Sequence, residues 1–136
     1  MDHTPSETWP PIRLERRRGR IELALTCVAL GRDLALTLSG GDRPHLGAVA
    51  VSQSRPSHRE GGGTSATTSV ITLPGHLEDE LARALAARVS AALDTAVCAA
   101  CGIHLDHLEA GELEAIEQLA NALAGELLER LGGLPR

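Results

Sequence analysis

Three histidines lie within two residues of a glycine or proline in three separate segments of the chain. They are His45 in GGDRPHLGAVA, His76 in ITLPGHLEDE and His104 in CGIHLDHL. Each segment is predicted to end a strand or to form the turn beside one, so folding can bring the three imidazoles to one edge of a sheet. Imidazole binds divalent transition metals and transfers protons near neutral pH. The sequence therefore predicts a metal, phosphate or proton-transfer site at these histidines, although any one of them alone is more simply explained as a hydrogen-bonded turn residue.

The residues around these histidines suit an anion. Paired glycines let backbone N–H groups approach a negative group closely, and a strand-glycine-helix junction presents free amides at the positive end of a helix dipole. A glycine pair in a hairpin is also common simply as a turn. The predicted cofactor-binding residues are Gly40, Gly41, Asp42, Arg43, His45, Gly75 and His76.

Carboxylates close to the histidines are candidates for proton transfer or metal ligation. Glu78 and Asp106 are the two that we retain, and together with His76 and His104 they form the predicted catalytic set. Helix stabilisation is the competing explanation, because acids in a first turn favour the positive end of the helix dipole and Asp106 with Glu109 resembles a capping box. A local His104-x-x-His107 pair is an alternative metal site if the last helix starts early.

Composition excludes several classes of function. All 13 basic residues are arginine, yet the net charge is −5, which argues against nucleic-acid binding. No apolar run reaches the roughly 18–20 residues that cross a bilayer, and the amino terminus does not resemble a secretion signal, so we expect a cytoplasmic protein. Three cysteines fit reduced thiols. Cys98 and Cys101 lie three apart in a predicted strand, where they face opposite sides and cannot pair.

Periodicity predicts the order ββββαβα. Residues 21–27 and 34–38 alternate as a hairpin, whereas residues 77–93 and 109–131 have helical spacing. Further strands are predicted at 45–52, 67–73 and 95–103. We expect a flexible arm over residues 1–18 and one α+β domain over residues 19–133. Its mixed sheet of about five strands would carry both helices on one face and leave the other free for a partner subunit.

Two connections carry further expectations. The strand at 67–73, the first helix and the strand at 95–103 predict a right-handed βαβ crossover with parallel pairing, which would place His76 and His104 at one sheet edge. Residues 52–66 have no periodicity, so they are predicted as a hairpin tip or as a lid that carries Arg55, His58 or Arg59.

The histidine segments, in this order and spacing, resemble the LpdD-like prenylated-flavin chaperone family, small proteins associated with UbiD-type decarboxylases. The resemblance covers about residues 19–131. It implies that the chain binds prenylated FMN or FMN, assists its maturation by a metal-dependent oxidation, and delivers it to the decarboxylase. It also implies a flavin prenyltransferase as a further partner and a homo-oligomeric state. His45, His76 and His104 would contact a divalent metal or the flavin, with Gly40, Gly41 and Gly75 shaping the pocket.

The composition adds one constraint to this resemblance. Because the chain has no Phe and no Tyr, the flavin ring cannot stack on those side chains and must be held through its phosphate and edges. Two other classes stay open: a small metal-dependent hydrolase or lyase with Glu78 or Asp106 as general base, and a non-catalytic adaptor that binds the decarboxylase through the free sheet face.

Overall fold

A computed structural model describes residues 9–73 and 78–134. In these residues, six strands and two helices follow one another in the order βββββαβα. Their bounds are β1 Ile12–Arg18, β2 Ile21–Leu30, β3 Asp33–Gly41, β4 Ala48–Pro56, β5 Thr64–Thr72, α1 Asp79–Leu93, β6 Val97–His104 and α2 Glu112–Gly132.

The six strands form one mixed sheet in the order β1-β2-β3-β6-β4-β5. Only β3 and β6 pair in parallel; the other neighbours are antiparallel. Helix α1 packs on β4, β5 and β6, and α2 packs on β1 and β2. The predicted α+β class, with both helices on one face of a mixed sheet, is confirmed. We call the face away from the helices the open face.

The strand that the sequence did not predict is β1, which lies within the segment predicted as a flexible arm. Ile12 and Leu14 are buried and alternate with exposed Arg13 and Glu15, which is the period-two pattern of a strand with one covered face. Gly19 adopts a positive φ of 59° in the turn that joins β1 to β2. The arginine run masked this short alternation, so the expected count of about five strands is one too low.

The predicted crossover is formed without direct pairing of its two strands. β4 lies between β5 and β6 and pairs with both in the antiparallel sense, so β5 and β6 run in the same direction as second neighbours. The segment at 52–66 is mostly strand, since β4 extends to Pro56 and β5 begins at Thr64. Three consecutive glycines with positive φ, Gly61 to Gly63, lie in the turn between them. Residues 52–66 therefore form the end of a β-hairpin, which is the first of the two structures predicted for them.

The core lies between the sheet and the helices. It is built from every second residue of the strands, such as Leu25, Leu36 and Ala99, whose side chains face the helices, and from the apolar stripes of α1 and α2. Cys101 is buried in this core, whereas Cys98 lies half-buried on the open face, as expected for residues three apart on a strand. Neither described helix is long and apolar enough to cross a membrane.

Helix α2 begins at Glu112, three residues later than predicted. Gly111 stands at its N-cap with a φ of 83° and no side-chain cap. The capping box of Asp106 and Glu109 is therefore wrong: both residues precede the helix by several positions, and this leaves the Asp106 carboxylate available to other groups.

The burial of β1 predicts that it contributes to stability. Leu14→Ala removes a side chain that is 5% exposed and should lower the free energy of unfolding by about 2–5 kcal/mol, measured by urea denaturation. Glu15→Ala, at the adjacent exposed position, is the matched control and should change stability by less than about 0.5 kcal/mol. Equal, small effects of both substitutions would contradict the strand assignment.

Candidate functional site

Two of the three predicted histidines meet at one edge of the sheet. β3 and β6 end together, with Gly41 opposite His104, and β4 begins at the same edge, with Ala48 opposite Cys101. His45 lies three residues before β4. The ring centroids of His45 and His104 are 6.2 Å apart, with an interplanar angle of 74°. We call this the histidine edge; Gly75 and His76 lie outside the described residues.

The connection before β4 reaches the histidine edge because glycines remove the side chains that would block it. A Cβ on Gly102 would lie 1.3 Å from the carbonyl oxygen of His45, and a Cβ on Gly47 would lie 2.4 Å from Oε2 of Glu78. The backbone of residues 45–47 therefore rests directly on β6, and the Gly47 N–H donates to the Cys101 carbonyl at 2.9 Å. The role of Gly102 was not predicted, because a single glycine in a strand gives no local signal of what lies over it.

Gly40 and Gly41 are also required by close backbone contacts. A Cβ on Gly40 would lie 2.1 Å from the Glu22 carbonyl oxygen, and one on Gly41 would lie 2.2 Å from the His104 carbonyl oxygen. Gly41 has a φ of 78°, which turns the chain out of β3. These glycines permit the close backbone packing at the histidine edge, and their role in binding a cofactor stays a prediction.

The predicted anion nest after these glycines is not formed. The N–H groups of Asp42 and Arg43 both point at the His104 carbonyl, with N–O distances of 2.7 and 3.4 Å. Oδ2 of Asp42 accepts from the Asp106 N–H at 2.8 Å. Since these groups already bond to the end of β6, Asp42 holds the two connections together, and phosphate would have to be bound by side chains.

Glu78 lies beside His45 with its carboxylate buried. Its side chain is 7% exposed, Oε1 is 3.2 Å from Nε2 of His45, and the Ile103 N–H donates to the same oxygen at 3.3 Å. Nδ1 of His45 lies 3.3 Å from the Arg43 carbonyl oxygen. Both ring nitrogens of His45 therefore face oxygen atoms, and these two contacts fix the orientation of the imidazole.

Asp79 and Glu80, in contrast, occupy the first turn of α1, as expected for acids that stabilise a helix. The Glu78 carboxylate also affects a neighbouring thiol. Burial, and secondarily the charge of Glu78, raise the pKa of Cys101 to about 12, so this thiol stays protonated at neutral pH. It is not a candidate nucleophile.

His104 and Asp106 form the exposed half of the histidine edge. Nε2 of His104 lies 3.0 Å from Oδ1 of Asp106 and 3.2 Å from Nη2 of Arg43, and Arg43 also donates to Asp106. The hydrogen bond from His104, followed by that from Arg43, holds the pKa of Asp106 below its ordinary value. The Arg43 side chain is 70% exposed. It is therefore a cation that a ligand can reach.

Arg20 fixes the connection between β6 and α2 in place. Its guanidinium makes two bonds to Glu112, of 2.8 and 2.6 Å, and donates to the Asp106 and His107 carbonyls at 2.9 and 3.1 Å. These bonds raise the pKa of Arg20 and lower that of Glu112 to about 2. The sequence analysis assigned Arg20 no role, because its partners Glu112, Asp106 and His107 lie about ninety positions away and leave no local pattern.

The alternative pair of His104 and His107 is not formed. Helix α2 starts after both residues, and His107 is exposed with a left-handed φ of 51°. Within residues 9–73 and 78–134, no group of three His, Cys, Asp or Glu side chains has the geometry to hold a metal ion. The predicted metal set of His45, His76 and His104 includes a residue outside that part of the chain.

A cavity of about 190 Å³ lies next to the histidine edge, where β2 and β3 face away from the helices. Its lining residues are Arg13, Glu22, Leu23, Ala24, Ser39, Gly40, Gly41 and Pro44. Gly40 and Gly41 therefore lie in the wall of a pocket, and Arg13 supplies the cation of that wall. The turn between β4 and β5 lies eight residues from Ala48, about 27 Å along the strand, so Arg55, His58 and Arg59 are remote from this cavity and from His45.

Comparison with known proteins identifies a family for the chain. The family model described as the prenylated flavin chaperone LpdD-like domain matches residues 17–132. A search of curated proteins finds no similar sequence. The match includes every described residue of the histidine edge.

The packing of residues 45–47 on β6 predicts a strong effect of Gly102→Ala. The new methyl group would overlap the His45 carbonyl, so the connection must leave β6, at a cost of at least about 2 kcal/mol in unfolding free energy. Gly125→Ala in α2 is the matched control: its Cβ would lie 3.5 Å from Arg88, and alanine should stabilise the helix by about 0.5–1 kcal/mol. A neutral Gly102→Ala variant in the same urea titration would contradict the contact.

The lowered pKa of Glu112 predicts an acid-dependent loss of stability. Its folded pKa of about 2 lies below the ordinary 4.5, so the carboxylate stabilises the fold above pH 4.5, and this contribution is lost as the pH falls towards 2. Glu112→Gln should therefore flatten the dependence of unfolding free energy on pH over this range. Glu117→Gln, at an exposed position of the same helix, should leave the wild-type slope. Identical slopes for all three proteins would show that the Arg20–Glu112 contact contributes nothing.

Proposed function

Because the chain belongs to the prenylated flavin chaperone LpdD-like family, we propose that it binds prenylated FMN at the histidine edge, assists its maturation and delivers it to a UbiD-type decarboxylase. The family match over residues 17–132 carries the proposal. The proposed location is supported by the contact between the His45 and His104 rings and by the exposed Arg43 beside them.

The residues present suit a flavin held by its phosphate and edges. Arg13 lines the cavity and Arg43 is exposed at the histidine edge, and guanidinium binds phosphate through two parallel N–H groups. Imidazole N–H groups can bond the carbonyl and nitrogen edge of the ring. Binding pockets for larger organic ligands commonly have volumes of about 300–1,000 Å³, so a cavity of 190 Å³ would enclose part of the flavin and leave the rest accessible. Partial enclosure suits a carrier that releases its ligand.

Each half of the histidine edge would have its own role. Arg43 would bind the phosphate, and the hydrogen bonds of Asp106 keep Arg43 and His104 in place before the ligand arrives. His45 would lie beside the ring, with the buried Glu78 carboxylate fixing its orientation through Nε2. When bound, prenylated FMN supplies the redox-active ring system. The protein would supply orientation and partial exclusion of water.

Further parts of the proposal rest on the family resemblance. They are a divalent metal at His45, His76 and His104, a metal-dependent oxidation of the flavin, flavin prenyltransferase as a second partner and a homo-oligomeric state. A cytoplasmic location is also part of the proposal. Metal analysis of the purified protein tests the metal directly. Activity on a substrate without flavin binding would favour the metal-dependent hydrolase or lyase instead, and co-purification with the decarboxylase without flavin would favour the adaptor.

The site assignment predicts that Arg43→Ala and His104→Ala each weaken binding of prenylated FMN about 10- to 100-fold, the effect of losing one charge-assisted hydrogen bond of about 1.5–3 kcal/mol. Absorbance titration of the folded proteins measures this. His58→Ala, in the turn between β4 and β5, is the matched control and should bind like the wild type.

The outcomes separate the function from its location. No binding by the wild type would refute the flavin proposal. Wild-type affinity in both variants would retain the function and place the site elsewhere. Circular dichroism and the urea midpoint of each variant check that a loss of binding does not come from unfolding.

A further inference from the structure

The open face of the sheet carries two rows of small or β-branched side chains without charge. The first row crosses β2, β3, β6 and β4 at Val28, Ala35, Cys98 and Val51; the second crosses β2, β3, β6, β4 and β5 at Thr26, Thr37, Ala100, Val49 and Ile71. Val28, Val51 and Ile71 are 39%, 48% and 72% exposed. Interface centres are depleted of charged residues in the same way, so this surface has the composition of an interface core.

We propose that the open face binds a second copy of this chain, forming a two-fold symmetric dimer in which the two sheets pack face to face. This gives the proposed homo-oligomer a specific surface, and it does not depend on flavin binding. A two-fold interface uses the same patch on both copies, so the patch must be complementary to itself.

The sizes of the side chains on the open face are compatible with that requirement. Those of β3 and β6, such as Ala35 and Ala100, are short and define what we call the trough; the longer Val49 and Val51 of the neighbouring β4 define the ridge. A two-fold axis parallel to the strands, between trough and ridge, places the ridge of each copy in the trough of the other. Facing sheets pack about 10 Å apart with interdigitated side chains, which short residues in the trough allow.

The area of the face is sufficient for a stable dimer. Six strands spaced about 4.8 Å apart and about nine residues long cover roughly 700–900 Å². Specific dimers bury about 800 Å² per partner. The charged side chains on this face belong mainly to its margin, at Arg13, Glu15, Arg17 and Glu22 on β1 and β2, where an interface has its polar rim.

The cavity beside Gly40 lies at the same margin, since Ala24 and Ser39 in its wall belong to the open face. A second copy packed there would add to the wall of this small cavity. This consequence alone rests on the proposed flavin site, and it predicts that variants which separate the dimer also bind prenylated FMN more weakly.

Arginine in the trough tests the dimer. Analytical ultracentrifugation of the wild type should give twice the mass of one chain, and Thr37→Arg and Ala100→Arg should each halve it, because an unpaired charge would be buried between the sheets. Both side chains point away from the core, so folding is retained, which circular dichroism checks. Ala84→Arg, at an exposed position of α1, is the matched control and should stay dimeric.

Cys98 provides a second readout on the same surface. It lies in the trough, whereas Cys27 and Cys101 are fully buried in each chain. Alkylation of Cys98, followed by mass spectrometry, should be slow in the wild type and several-fold faster in Thr37→Arg. A monomeric wild type, or a dimer that persists in both arginine variants with unchanged Cys98 labelling, would overturn the proposal. So would a monomer that binds the decarboxylase through this face.

Discussion

The backbone of residues 45–47 lies directly on β6, and the geometry of the histidine edge depends on this contact. Gly102 permits it by leaving space for the His45 carbonyl, and Gly47 leaves space for the Glu78 carboxylate. With a side chain at either position, His45 could not reach Glu78 while β4 starts beside β6. The same edge ends the parallel pair of β3 and β6, whose last residues are Gly41 and His104. Backbone packing thus determines which imidazoles meet.

The charged side chains around that contact fall into a buried group and a solvent-exposed group. The buried Glu78 carboxylate faces His45, whereas Asp106 shares the exposed Arg43 with His104. The Arg20–Glu112 contact holds the connection to α2 beneath them. A ligand with a phosphate and a flat polar edge is compatible with this division, because an exposed cation can capture the phosphate while a preorganised imidazole orients the ring.

The sequence predicted those elements whose periodicity is local. The alternation of β2 and β3 and the apolar stripes of the helices were sufficient for the α+β class. The predicted crossover placed His104 at an edge with His76, whereas the contact of His45 with His104 depends on Gly102 and could not be derived from spacing. β1 was missed because its two apolar residues are followed by arginines, and the polar alternation of residues 52–66 did not resemble a strand. Gly102 and Arg20 act through residues far away in the chain, so no spacing rule could identify their roles. The amides after Gly41, predicted to bind an anion, instead bond to the end of β6.

The most direct test of the flavin site is the aromatic NMR spectrum during titration with prenylated FMN. With six histidines, one tryptophan and no Phe or Tyr, each imidazole can be resolved and assigned. The ring signals of His45 and His104 should shift with the same saturation as the flavin absorbance, and those of His58 should stay unchanged. Saturable flavin binding that leaves both His45 and His104 unperturbed would contradict the proposed site.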